Sequence, residues 1–144
     1  MPEKETLERA RRDKRQGKSK STQAGEFVRE EIHHVREGKH GARSAKQANA
    51  IGLNKARRAG VDLPLPEGSS EETRESARSA RSRAGKKASP TRSRATRGAL
   101  KREGTRSASK SALARQAKSS ARKRGPASRK AAAKKAARTR RRTT

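Results

Sequence analysis

Beyond residue 65 this chain contains only two large apolar side chains, Leu100 and Leu113, and its single aromatic residue, Phe27, lies in the first half. That scarcity constrains the fold more than any motif does. A polypeptide of 144 residues in which 26% are hydrophobic has too little apolar surface to offset the ordering entropy of one full-length globular core. The expected fold class is therefore all-α and largely disordered, with one short folded module. The charge follows the same division. Residues 73–144 carry 26 Lys or Arg and two acids, and the whole chain has a formal charge of +28. Polyanions are the expected partners of such a chain, and nucleic acid is the commonest of them.

Four segments follow from charge and pattern. Residues 1–20 carry good helix formers over 2–16 but only one large apolar side chain, Leu7, so a solvated helix with no core contact is expected. The pairs Glu5–Arg9 and Glu8–Arg12 have the i,i+4 spacing that supports an isolated helix. Residues 21–65 are the folded candidate, a helical hairpin. Residues 66–72, "PEGSSEE", read as an acidic linker, and 73–144 as a disordered basic tail rich in Lys, Arg, Ala and Ser.

The hairpin rests on periodicity and punctuation. Over 22–37, Ala24, Phe27, Val28, Ile32 and Val35 fall within about 140° at helical spacing, with Ser21 or Thr22 available as the cap. Glu31 lies inside that stripe and requires a basic neighbour. Gly38 is suited to the left-handed turn that ends the first helix, and Gly41 lets the chain reverse. Ser44 with Gln47 three residues later makes a capping box for a second helix over 45–59, which Gly60 closes. That second helix presents small residues on one side: Ala45, Ala48, Gly52, Ala56 and Ala59. Val61, Leu63 and Leu65 close the end of a core expected to be marginal.

Chemistry-bearing patterns are few. Adjacent His33 and His34 diverge by about 100° on a helix, and His40 sits in the joint. Glu30 and His34 make the one metal-like i,i+4 pair, and two ligands do not complete a site. No cysteine and no glycine-rich phosphate loop is present. Neither catalytic residues, nor a cofactor, nor a metal site is expected.

Two candidate nucleic-acid surfaces stand out. The first is the tail, whose cations need no fixed geometry to displace counterions from phosphates. In its first part these are Arg92, Arg94, Arg97, Lys101 and Arg102. Its middle part holds Lys110, Arg115, Lys118, Arg122, Lys123 and Arg124. The last part holds Arg129, Lys130, Lys134, Lys135, Arg138, Arg140, Arg141 and Arg142. Stretches 110–123 and 128–142 are Ala-rich enough to become helical once phosphates neutralise them. The second surface is the outer face of the second helix, where Lys46, Gln47, Asn54, Arg57 and Arg58 share about 120° and offer side chains that hydrogen-bond base edges.

Residues 21–64, with "KHGARSAKQ" and "IGLNKARRAGV" at their centre, resemble an uncharacterised family of small basic bacterial proteins. The likeness extends over about residues 1–65, and Asn49 stands where that pattern has an apolar residue. Some members are labelled DNA-binding or plasmid-stabilisation proteins, so the resemblance implies a DNA-binding role. The tail is similar in composition to bacterial histone-like and linker-histone tails, and Ser89-Pro90-Thr91-Arg92 resembles their S-P-basic elements. A non-enzymatic, low-specificity DNA-binding protein with a compaction or protection role is the expectation. RNA or the ribosome is the alternative target, and a protein partner or self-association through the hairpin is a third possibility. No run approaches the roughly 20 apolar residues of a membrane span, and the N-terminus lacks a secretory h-region. A soluble, cytoplasmic, nucleoid-associated protein is expected.

Overall fold

Three helices of this protein end in the same way, and that repeated ending organises the fold. In the computed structural model, which describes residues 2–143, α1 spans Lys4–Arg15, α2 Lys20–Arg36 and α3 Ala45–Arg58. Each is followed by a glycine at positive φ: Gly17 at 68°, Gly38 at 74° and Gly60 at 95°. At each end two backbone amides fold back onto the last turn. Lys18 and Gly17 donate to the carbonyls of Asp13 and Lys14, Lys39 and Gly38 to those of His34 and Val35, and Val61 and Gly60 to those of Ala56 and Arg57. This is the Schellman arrangement, in which glycine bears the left-handed residue without a Cβ penalty. Gly38 and Gly60 were legible from sequence; Gly17 belongs to the same set.

The starts are set by serines. Ser19, not Ser21 or Thr22, caps α2 by accepting from the Thr22 amide at 3.2 Å, so this helix begins at Lys20. Ser44 caps α3, accepting from the Gln47 amide at 3.1 Å. Gln47 Oε1 reaches back to the amide of Arg43, one residue beyond the cap. Met1 and Thr144, the outermost residues of the terminal segments, lie outside the described residues.

The expectation of a largely disordered chain is overturned. Three further helices follow the hairpin: α4 over Glu71–Ser82, α5 over Pro90–Lys101 and α6 over Lys110–Thr143, with a short 3-10 turn at Arg106–Ala108. No strand occurs among the described residues. The chain is an all-α bundle and not an ordered hairpin on a disordered polycation. Of the acidic segment 66–72, residues 66–70 connect α3 to α4 without helix and the last two acids belong to α4. Ser70 caps α4, and Glu71 and Glu72 lie in its first turn, where carboxylates complement the helix dipole.

Two apolar clusters hold the bundle together. In one, Phe27 is buried with Ala10, Ala24, Ala56 and Leu63, flanked by Leu7, Leu53 and Val61. α1 is therefore packed on α2 through Leu7 and Ala10, not free in solvent as its lone leucine suggests. In the other, Ile32, Val35, Ala42 and Ala48 surround Ala108, with Val28 and Leu113 against them. Ala108 comes from the stretch expected to be disordered. It is fully buried, because small residues let backbones approach to where one methyl group suffices. Gly52 shows the same economy of space, since a Cβ there would lie 2.6 Å from Val28 Cα.

The joint of the hairpin serves as a docking point. Gly41 donates its amide to the Leu100 carbonyl at 2.8 Å and Ala42 to the Gly104 carbonyl at 3.1 Å. Arg36 Nε donates to the Ala108 carbonyl at 2.9 Å. A Cβ at Gly41 would fall on the Glu103 carbonyl. Gly41 is thus required by a close backbone approach rather than by a left-handed turn. Through these bonds the chain from 100 to 108 is clamped over the joint, and α5 and α6 leave the bundle from there.

Candidate nucleic-acid interface

Most basic residues of the second half lie on helices; Arg83, Lys86, Lys87 and Arg102 lie between them. α5 begins at Pro90, with Ser89 in the cap position and proline in the first turn, where its missing amide costs nothing. Ser89-Pro90 is therefore a helix start within this fold. Arg92, Arg94, Arg97, Lys101 and Arg102 are all exposed on α5 and its end. Arg94, Arg97 and Lys101, at i, i+3 and i+7, share one face.

α6 carries the rest. Its first turns are anchored, with Leu113 against the second cluster and Ser109 accepting the Ala112 amide at 3.1 Å. Beyond that, Arg115, Lys118, Arg122 and Lys123 line one shallow groove with Ser119. Lys110 and Arg124 are exposed beside them. The helix is broken at Gly125, whose φ of 74° and ψ of 171° lie in a region open essentially to glycine alone. Pro126 then starts a second rod bearing Arg129, Lys130, Lys134, Lys135, Arg138, Arg140, Arg141 and Arg142, each exposed. No acid follows Glu103 in the sequence. The result is a cationic arm in two segments.

The face of α3 is arranged differently. Lys46 is exposed, and Arg58 is half-buried. Gln47 is occupied in the cap. Asn54 donates to Ser76 Oγ on α4 at 2.9 Å and accepts from Arg57 at 3.1 Å. Arg57 is 5% exposed, and burial, with Arg81 nearby, lowers the pKa of its guanidinium. α4 covers this part of α3, so Asn54 and Arg57 are engaged within the chain. The apolar faces of the hairpin are also occupied, by α1, α4 and the 3-10 turn.

A second constellation emerges from the fold and not from any linear motif. Glu31 is fully buried, and its required basic neighbour is Lys55, which hydrogen-bonds Oε1. His40 Nε2 lies 3.1 Å from Glu31 Oε2, and His34 Nδ1 lies 3.8 Å from Oε1. Beside them, Glu30 Oε1 accepts the Glu3 amide at 2.7 Å. His34 Nε2 and Lys39 Nζ meet Glu3 Oε1 at 3.0 and 3.3 Å. Hydrogen bonding from His34, then Lys39, holds the Glu3 carboxyl below the usual carboxylate range. Glu37 and Glu3 raise Lys39 in turn. Only Glu30–His34 was visible from spacing, because His40 reaches Glu31 through the reversal at Gly38 and not through helical periodicity.

Compared with known proteins, the chain matches no family model, no curated protein and no solved structure. No helix among the described residues is long and apolar enough to cross a membrane.

Proposed function

We propose that this chain is a non-enzymatic nucleic-acid-binding protein in which α1–α4 form a scaffold and residues 90–142 form a cationic arm directed at duplex DNA. The observation that carries this is the arm itself. Fourteen Lys or Arg residues lie between 110 and 142 without one acid, and all are exposed on helical rods. Lysine and arginine spaced along a rod bind phosphates by releasing condensed counterions, which needs no base contact. The bend at Gly125 sends the two rods in different directions, so one chain is suited to bridging duplexes and hence to compaction or protection. The resemblance read from the sequence to small basic bacterial proteins, some labelled DNA-binding, agrees with this assignment, and a place in the cytoplasm on the nucleoid is part of the same proposal.

Duplex is favoured over unpaired RNA by the absence of a stacking platform. The only aromatic side chain, Phe27, is 1% exposed, whereas single-strand and RNA-loop readers stack bases on exposed aromatics. The test is competition. A random-sequence duplex bound to the full chain is challenged with unlabelled duplex, structured RNA and a non-nucleic polyanion such as heparin. Duplex should displace at least as well as RNA of equal charge, with no dependence on its sequence. Preferential displacement by RNA would reassign the target, and failure to bind duplex at about 50 mM salt would end the proposal.

A further inference from the structure

Two histidines in this fold each have one ring nitrogen committed and the other directed at the same buried carboxylate. His40 Nδ1 lies 2.9 Å from the Gly41 carbonyl. A carbonyl only accepts, so Nδ1 carries a proton, and Nε2 is left to hold either a second proton or a metal ion against Glu31. That nitrogen is 3.1 Å from Glu31 Oε2, an atom that is buried and has no hydrogen-bond donor. His34 Nε2 lies 3.0 Å from the Glu3 carboxylate, which fixes its proton there and leaves Nδ1 facing Glu31. With both rings neutral, lone pairs converge on lone pairs around a side chain that is 1% exposed. Such an arrangement repels itself unless a positive centre lies between the groups.

We propose that Glu31, His34 and His40 form a site for a divalent transition-metal ion, with zinc the best match. The three ligand atoms lie within 4.8 Å of one another. A tetrahedral zinc with bonds of about 2.0–2.2 Å to nitrogen and oxygen places its ligands roughly 3.4 Å apart. Two imidazoles and one carboxylate are a recurrent zinc set with a fourth position left for water. Calcium and magnesium favour all-oxygen shells. The outer contacts are those that orient metal ligands, a backbone carbonyl on one imidazole and a carboxylate on the other. Lys55 takes the other oxygen of Glu31 and so leaves Oε2 to the ion. The charges permit it: Glu3, Glu30, Glu31 and Glu37 against Lys39 and Lys55 leave two negative charges in excess. His33, on the neighbouring position of α2, is exposed and outside the cluster.

The site joins α2 to the joint on which the arm is docked. His40 precedes Gly41, whose amide holds Leu100, so an ion bound here ties the clamp at 100–108 to the bundle. The zinc requirement would thus be structural and independent of whether the arm binds DNA.

The experiment uses the untagged full chain, stripped with a chelator and titrated with zinc chloride by calorimetry. Cobalt chloride serves as the spectroscopic probe. Expected are one zinc per chain, tetrahedral cobalt absorption bands, a higher Tm with zinc and slower amide exchange at Gly41 and Ala42. His34→Gln, His40→Gln and Glu31→Gln should each weaken binding by about tenfold or more, and Glu3→Gln by about tenfold through loss of an orienting contact. His33→Gln should leave it unchanged. Should a variant fail to fold by circular dichroism, nitrogen-15 spectra of the wild-type imidazoles decide. Zinc must move the signals of His34 Nδ1 and His40 Nε2. Absence of one-to-one binding, unmoved imidazole signals, or an equal loss with His33→Gln would overturn the site. An unmoved imidazole signal with His40 doubly protonated would assign the positive centre to a proton.

Discussion

Gly25 and Gly41 differ in what one added methyl group would meet. At Gly25, in the middle of α2, nothing lies within 4 Å of an added Cβ. Gly25→Ala should therefore stabilise the protein by about 1 kcal/mol, the helix-propensity difference. At Gly41 the Cβ would strike the Glu103 carbonyl. Gly41→Ala should cost about 1–3 kcal/mol and should raise amide exchange at Ala42, as the 100–108 clamp opens. Urea unfolding of the two variants checks both signs. The sequence marks Gly38 and Gly60 as helix stops through local pattern alone. It marks Gly41 as a turn glycine, because the carbonyl that excludes a side chain comes from far downstream. Glu31 follows the same logic. Its need for a cation is readable from its place in an apolar stripe, but Lys55 and His40 are identified only when α3 and the joint fold against it. Lys55→Met should destabilise the chain by about 3 kcal/mol, since removing one partner leaves a buried charge uncompensated. A midpoint within error of wild type would mean that a positive centre held with the histidines, a proton or a metal ion, compensates Glu31.

At the scale of elements, what the sequence did not show is packing made through small residues. α4 buries Ala77 and Ala80 against α3, and α1 buries Thr6 and Ala10. An apolar inventory weighted by large side chains finds neither, because alanine contributes little area yet permits close contact. α2 was legible from its bulky stripe and α3 from its small one. The consequence is a sensitivity to size where polarity looks unimportant. Ala77→Leu should cost about 1–3 kcal/mol by overpacking, while Arg78→Ala, one residue on and exposed, should stay within about 0.5 kcal/mol of wild type. In α6 the controlling feature is Gly125-Pro126. A continuous helix would place residues 119 and 133 about 21 Å apart, at 1.5 Å per residue. Spin labels at those exposed positions should report a shorter separation in the native chain. They should report about 21 Å once Gly125 and Pro126 are both alanine.

Across the whole molecule, charge and packing are segregated. The chain before Pro90 contains 13 of the 14 acids and nearly all the buried apolar residues, and the arm from Pro90 onward contains one acid, Glu103. This division makes a specific forecast about salt. Each phosphate neutralised contributes about −0.9 to the slope of log K against log salt on duplex DNA. Changing Arg115, Lys118, Arg122 and Lys123 together to Gln removes four cations from one face of α6. It should flatten the slope by roughly 3 to 4 without altering the unfolding midpoint, because none of the four is buried. The control is an equally basic set on the scaffold, Arg11, Arg12, Lys14 and Arg15 of α1. These four are exposed too, but Glu5 and Glu8 share a groove with Arg11, Arg12 and Arg15, so the local field is weaker. Their replacement by Gln should change the slope by about 1 or less. Filter or fluorescence titrations between 50 and 300 mM salt, on the order of the range where counterion release dominates, separate the two. Equal flattening by both sets would mean that DNA contacts the whole surface and that the arm has no privileged role. A large loss from the α1 set alone would move the interface onto the scaffold.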